Sequence, residues 1–155
     1  MEVATEMWGG DYYMADEKTL GMVMELINKH HQRLAGCLIS VMFRDTNTWK
    51  SQGRDVWGKS YKVAGWQHAV LGWDFLIMLH RETWENLTIG QRYALLDHEL
   101  LHLEWDTETE KGSLAAHDFE GFVAELDRHG TWQADLRRLE KRMQQRSLFD
   151  KGEAE

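Results

Sequence analysis

The alternation of apolar and polar positions divides the chain into a few recognisable elements. From Asp16 to Ala35, Leu20, Val23, Met24, Ile27, His31 and Leu34 recur at three and four, Asp16 can cap the start and Gly36 can end the turn, which predicts a helix. Leu38-Ile39-Ser40-Val41-Met42-Phe43 is too short for a second amphipathic helix and rich in strand-forming residues, so it predicts a buried strand. Ser60 to Ala64 alternates as a half-exposed strand does, and Asp74 to His80 is a third, more apolar one. Tyr93, Leu96, Leu100 and Leu103 return to helical spacing within Thr88 to Glu104, a stretch opened by the capping-box pair Thr88 and Gln91.

Between these elements, Asp45 to Ser60 reads as a loop anchored by Trp49 and Trp57, Arg81 to Leu87 as a short link, and Asp106 to Gly112 as a polar loop. Leu114 to His129 predicts a further helix with Phe119, Phe122, Val123 and Leu126 on one side and Gly130 as its stop. Thr131 caps a last helix on Trp132, Leu136, Leu139 and Met143, which runs into a charged tail. Three strands flanked by helices imply an α+β fold with a small three- to four-stranded sheet packed against helices. Residues 1–155 are expected to form one domain, with 1–15 an aromatic arm of no clear period and 145–155 a polar tail.

Composition narrows the function. A formal net charge of −8 speaks against direct nucleic-acid binding, because phosphate affinity needs clustered Lys and Arg. The single cysteine, Cys37, excludes an internal disulfide framework, fits a reducing cytoplasm and reads as a small apolar side chain rather than a catalytic thiol. His30 and His31 suit the negative end of the first helix and are expected to be solvated. The stretch MEVATEMWGGDYY lacks the basic and continuous apolar regions of a secretory signal and no apolar run reaches the roughly 20 residues that cross a bilayer, so the expected location is the cytoplasm.

The chemistry concentrates in one stretch, His98-Glu99-Leu100-Leu101-His102, which reads HExxH. Histidines four apart on a helix share a face and can share a metal ion, and the adjacent Glu99 reaches a water on that ion rather than the ion itself. That is the start of a zinc hydrolase site, with Glu99 as general base. A catalytic zinc takes three protein ligands, so a later segment must supply the third. His117-Asp118-Phe119-Glu120 offers the best supply. His117 is favoured because neutral imidazole is a common zinc ligand, Glu120 is the runner-up, and Asp118 is better placed to orient a ligand histidine.

LLDHELLHLEWD followed by AAHDFEGFVAELDRHGTW resembles the phage metallopeptidases, small proteins related to the SprT-like metalloproteases, and DFLIMLHRETWENLTIGQRYALLDHELLH extends the likeness backwards. The resemblance covers roughly residues 38 to 132 and implies a minimal zincin-like fold, one zinc ion, a third ligand at His117, and a protein or peptide substrate. It also implies an edge strand beside the cleft that receives an extended peptide, for which Tyr61 to Val63 are the candidates. Two departures are plain: the chain has neither the cysteine-rich zinc ribbon nor the basic C-terminal extension with which SprT-like proteins reach DNA. A second function class remains open, a phage-type effector that keeps this fold but occupies a host protein, its acidic surface mimicking nucleic acid.

Overall fold

The structure is a computed structural model that describes residues 11–116, 122–130 and 132. The chain divides into two compact units, residues 1–116 and 117–155. In the first unit the elements run β1 (Tyr12–Met14), α1 (Glu17–His30), a 3-10 turn (Gln32–Leu34), β2 (Ile39–Arg44), β3 (Lys50–Ser51), β4 (Arg54–Asp55), β5 (Gly58–Lys62), α2 (Gly65–Leu71), β6 (Phe75–His80), α3 (Arg81–Asn86), α4 (Ile89–Leu101), β7 (Leu103–Asp106) and β8 (Lys111–Leu114). In the second, α5 spans Val123–His129. The fold is α+β, as the pattern predicted.

The main sheet has the order β1-β2-β6-β5, with β2 and β6 parallel at its centre and β1 and β5 antiparallel at its edges. Phe75, Ile77 and Leu79 on β6 are wholly buried, as is Val41, which lies opposite Ile77. Alternate residues of a strand share a face, so the register that sets Ser60 opposite Ile77 and Gly58 opposite Leu79 carries both inward positions of β5 onto this apolar face.

Helix α1 begins where the Asp16 carboxylate accepts from the Thr19 amide at 2.9 Å. It packs against α4 and buries Met22, Val23, Leu26 and Ile27, whereas Leu20 and Met24, expected on the inner stripe, face solvent. Both patterns repeat at three and four, and only the partner surface selects one of them. Helix α4 starts on the expected capping box, with both Thr88–Gln91 bonds present, and buries Ala94, Leu95, Leu96 and Leu100.

Several boundaries differ from expectation. The helix expected to reach Glu104 ends at Leu101, because Leu103-Glu104-Trp105-Asp106 pairs antiparallel with Lys111-Gly112-Ser113-Leu114. The polar loop expected from Asp106 is therefore the turn of a β-hairpin, and Leu114 closes a strand instead of opening a helix. The supposed loop Asp45 to Ser60 contains the β3–β4 ribbon and the start of β5, which is Gly58–Lys62 and not Ser60 to Ala64. Arg81 to Leu87 is mostly helix α3, its Trp84 buried. The aromatic arm contributes β1, while residues 1–10 lie outside the described residues.

The second unit confirms Gly130 as the stop of α5, with the left-handed φ of +62° that glycine adopts without steric cost. At the other end of α5, the Glu125 carboxylate accepts from the Phe122 amide at 3.2 Å and from the Trp132 indole at 2.8 Å. The helix expected from Thr131, Trp132 apart, and the tail lie outside the described residues. Among those described, no helix is long and apolar enough to cross a membrane.

Candidate metal centre

The last turn of α4 brings His98, Glu99 and His102 together, with their ligand atoms all within 4.8 Å of one another. The imidazole rings of His98 and His102 meet edge to face, centroids 5.1 Å apart. His102 sits at the C-cap, where the helix gives way to β7. Its Nδ1 lies 2.7 Å from the Ala115 carbonyl, an acceptor only, so that nitrogen carries the ring hydrogen and the lone pair is left on Nε2. A backbone carbonyl that fixes the tautomer in this way is the usual support of a metal-ligating histidine.

Glu99 is 3% exposed and is held from the edge strand. The buried hydroxyl of Ser60 lies 2.7 Å from Glu99 Oε2 and 2.9 Å from the main-chain oxygen of Glu99. Strand β5 approaches this closely because position 58 is glycine: a β-carbon there would stand 3.4 Å from Glu99 Oε1, 3.3 Å from the Met78 carbonyl and 3.2 Å from Leu79 Cδ2. The candidate edge strand therefore does flank the trio. On it, burial pushes the Tyr61 phenol above its ordinary pKa; nearby Arg44 opposes the shift while Tyr12 and Glu99 add to it. Tyr61 stays a neutral hydroxyl at ordinary pH.

A model of the family described as "Putative phage metallopeptidase" matches residues 11–143. The chain belongs to this family. Neither a curated protein nor a solved structure matches it. The family name implies a metal, and the donor set fits one: two imidazoles beside a carboxylate, one ring fixed with its lone pair at Nε2, suit zinc better than the all-oxygen sites of magnesium or calcium. His117 and Glu120, the two candidates for the third ligand, lie outside the described residues, as does Asp118.

The motif helix is also held by a second set of buried polar groups. Asp97, wholly buried, lies 2.5 Å from Nε2 of His31, and Nδ1 of that ring accepts from the Arg33 guanidinium at 2.8 Å. Arginine can only donate, so His31 Nε2 bears the hydrogen that goes to Asp97. Arg33 also donates to the main-chain oxygens of Leu100 at 3.1 Å and Leu103 at 2.8 Å, closing the carbonyl end of α4. His31 is thus a buried anchor, 1% exposed, and not the solvated helix-end residue expected. The sequence did carry a signal for it: an aspartate within the apolar run Leu95-Leu96-Asp97 needs a buried partner.

A cavity of about 560 Å³ lies between the β3–β4 ribbon and α3, lined by Trp49, Trp57, His80, Thr83, Asn86 and Leu87 among others. None of the metal-site trio lines it. Its wall is braced by His80, 5% exposed, whose ring bonds the Thr46 carbonyl at 2.6 Å and the Thr83 hydroxyl at 2.8 Å.

Proposed function

We propose that the chain is a zinc-dependent peptidase in which His98 and His102 hold one ion, the segment after β8 supplies the third ligand through His117, with Glu120 as the runner-up, and Glu99 is the general base. The observation that carries this reading is the grouping of the three ligand atoms within 4.8 Å. The Nδ1 bond of His102 to Ala115 supports it. Zinc bound there would supply Lewis acidity, both to a water and to the carbonyl under attack.

The chain's own groups do the rest. The Ala115 carbonyl keeps Nε2 of His102 unprotonated and the ring fixed. Glu99 takes a proton from the attacking water and returns it to the leaving amine, so no serine or cysteine nucleophile is needed. The outer edge of β5 suits main-chain pairing with an extended protein or peptide substrate, with Tyr61 and Val63 beside it.

The test is metal content by elemental analysis of purified wild type, His98→Ala, His102→Ala, His117→Ala and Glu120→Ala. Wild type should hold one zinc per chain, and His98→Ala and His102→Ala should lose it together with thermal stability, since binding to the native state contributes to folding. His117→Ala should weaken binding far more than Glu120→Ala. Equal metal content in wild type and the His98 and His102 variants rules out the site, and the reverse order of the last two moves the third ligand to Glu120.

A further inference from the structure

We infer that Ser60 is a positioning residue for Glu99: strand β5 holds the carboxylate in one orientation through the Ser60 hydroxyl. The inference rests on the reading of Glu99 as the base and goes beyond it, since HExxH says nothing about what aims the glutamate. A glutamate has three rotatable side-chain bonds, and a base is effective only while its oxygen stays within reach of the proton it takes.

The geometry supplies the restraint. Ser60 has one hydroxyl hydrogen and two acceptors in range, and the shorter contact, 2.7 Å against 2.9 Å, is to Oε2 of the side chain. A carboxylate is also the stronger acceptor, so the hydrogen is given mainly to it. Glycine at position 58 lets β5 come this close, since a β-carbon there would stand 3.2 Å from Leu79 Cδ2 and 3.3 Å from the Met78 carbonyl. Ser60 is 8% exposed and Glu99 is 3% exposed, so water competes little for this bond. Gly58 and Ser60 are both inward positions of one strand, opposite Leu79 and Ile77, so the element that comes close to α4 also carries the hydroxyl that holds Oε2.

The same hydroxyl reaches the main-chain oxygen of Glu99, and a purely structural tie between β5 and α4 would predict a loss of stability alone. Two measurements separate the roles. The first is a double-mutant cycle of Ser60→Ala and Glu99→Ala by urea unfolding of the metal-free protein, which involves neither zinc nor turnover. Positioning predicts that the two effects are not additive, with a mismatch of at least about threefold in the unfolding constant. Additive effects overturn the inference whatever the enzyme does.

The second compares zinc-loaded wild type, Ser60→Ala and Ser60→Thr on casein. Ser60→Ala should keep its zinc and lower kcat about tenfold with KM little changed, and Ser60→Thr, which retains the hydroxyl, should recover most of the loss. An unchanged kcat in Ser60→Ala overturns the inference and leaves the peptidase reading intact. A wild type that binds zinc and cleaves nothing defeats the peptidase reading, and the cycle then decides alone whether Ser60 holds the carboxylate.

Discussion

His102 and Ala115 are bonded in both directions: the ring Nδ1 of His102 donates to the Ala115 carbonyl at 2.7 Å, and the Ala115 amide donates to the His102 carbonyl at 2.6 Å. The β7–β8 hairpin lies between these two residues, so its seating on the sheet sets the orientation of the His102 ring. That seating depends on Gly112, where a β-carbon would fall 2.4 Å from Cζ of the wholly buried Phe75.

Gly112→Ala should therefore push the hairpin outward, because Phe75 is fixed in the core and cannot yield. The expected cost is about 1–3 kcal/mol of stability, the usual price of overpacking. Metal affinity should fall roughly 10- to 100-fold as the Ala115 carbonyl leaves His102. Chemical denaturation and a competition titration with a zinc chelator measure the two. Unchanged affinity in a destabilised variant would show that the hairpin does not govern the ring.

Arg33 closes the end of the motif helix with donors to Leu100 and Leu103 and a third to His31. Arg33→Ala strands those carbonyls and loosens the His31–Asp97 pair, and should cost about 2–4 kcal/mol in urea unfolding. Arg33→Lys should recover little, since an ammonium cannot span the same fork of acceptors. A loss below about 0.5 kcal/mol in Arg33→Ala contradicts this account.

Cys37 gives a pH prediction. Burial, and then the nearby Asp74 carboxylate, push its thiol up to about 11, and its hydrogen points to the Leu34 carbonyl. The raised value means the neutral thiol is favoured in the folded state, so this contribution to stability is complete below the ordinary thiol range and is lost as pH rises towards 11. At pH 8 the folded thiol should react with iodoacetamide on the order of 10² times more slowly than in the unfolded chain. Equal rates at pH 8 would mean the thiol is not held neutral.

What could be read from the sequence was what is local. The Thr88–Gln91 box, the apolar strand within Asp74 to His80, and the spacing of His98 and His102 each need only a few residues of chain, and each appears as expected. Leu103 misled because an apolar residue seven after Leu96 continues a helical stripe equally well as it opens the alternation Leu103-Glu104-Trp105-Asp106. The supports of the site could not be read because they join distant segments: His31 to Asp97 across 66 positions, Ser60 to Glu99 across 39, and His102 to Ala115 across a hairpin turn. Strand β1 is visible only once Phe43 is known to lie beside Tyr13.

The most direct test of the central claim is the rate of casein hydrolysis by Glu99→Gln beside wild type at matched zinc loading. The substitution keeps size and shape and removes only the base. The account predicts a variant that folds and binds zinc like wild type and cleaves slower by a factor on the order of 10² to 10⁴. A variant that cleaves as fast as wild type, or that loses its zinc, contradicts it.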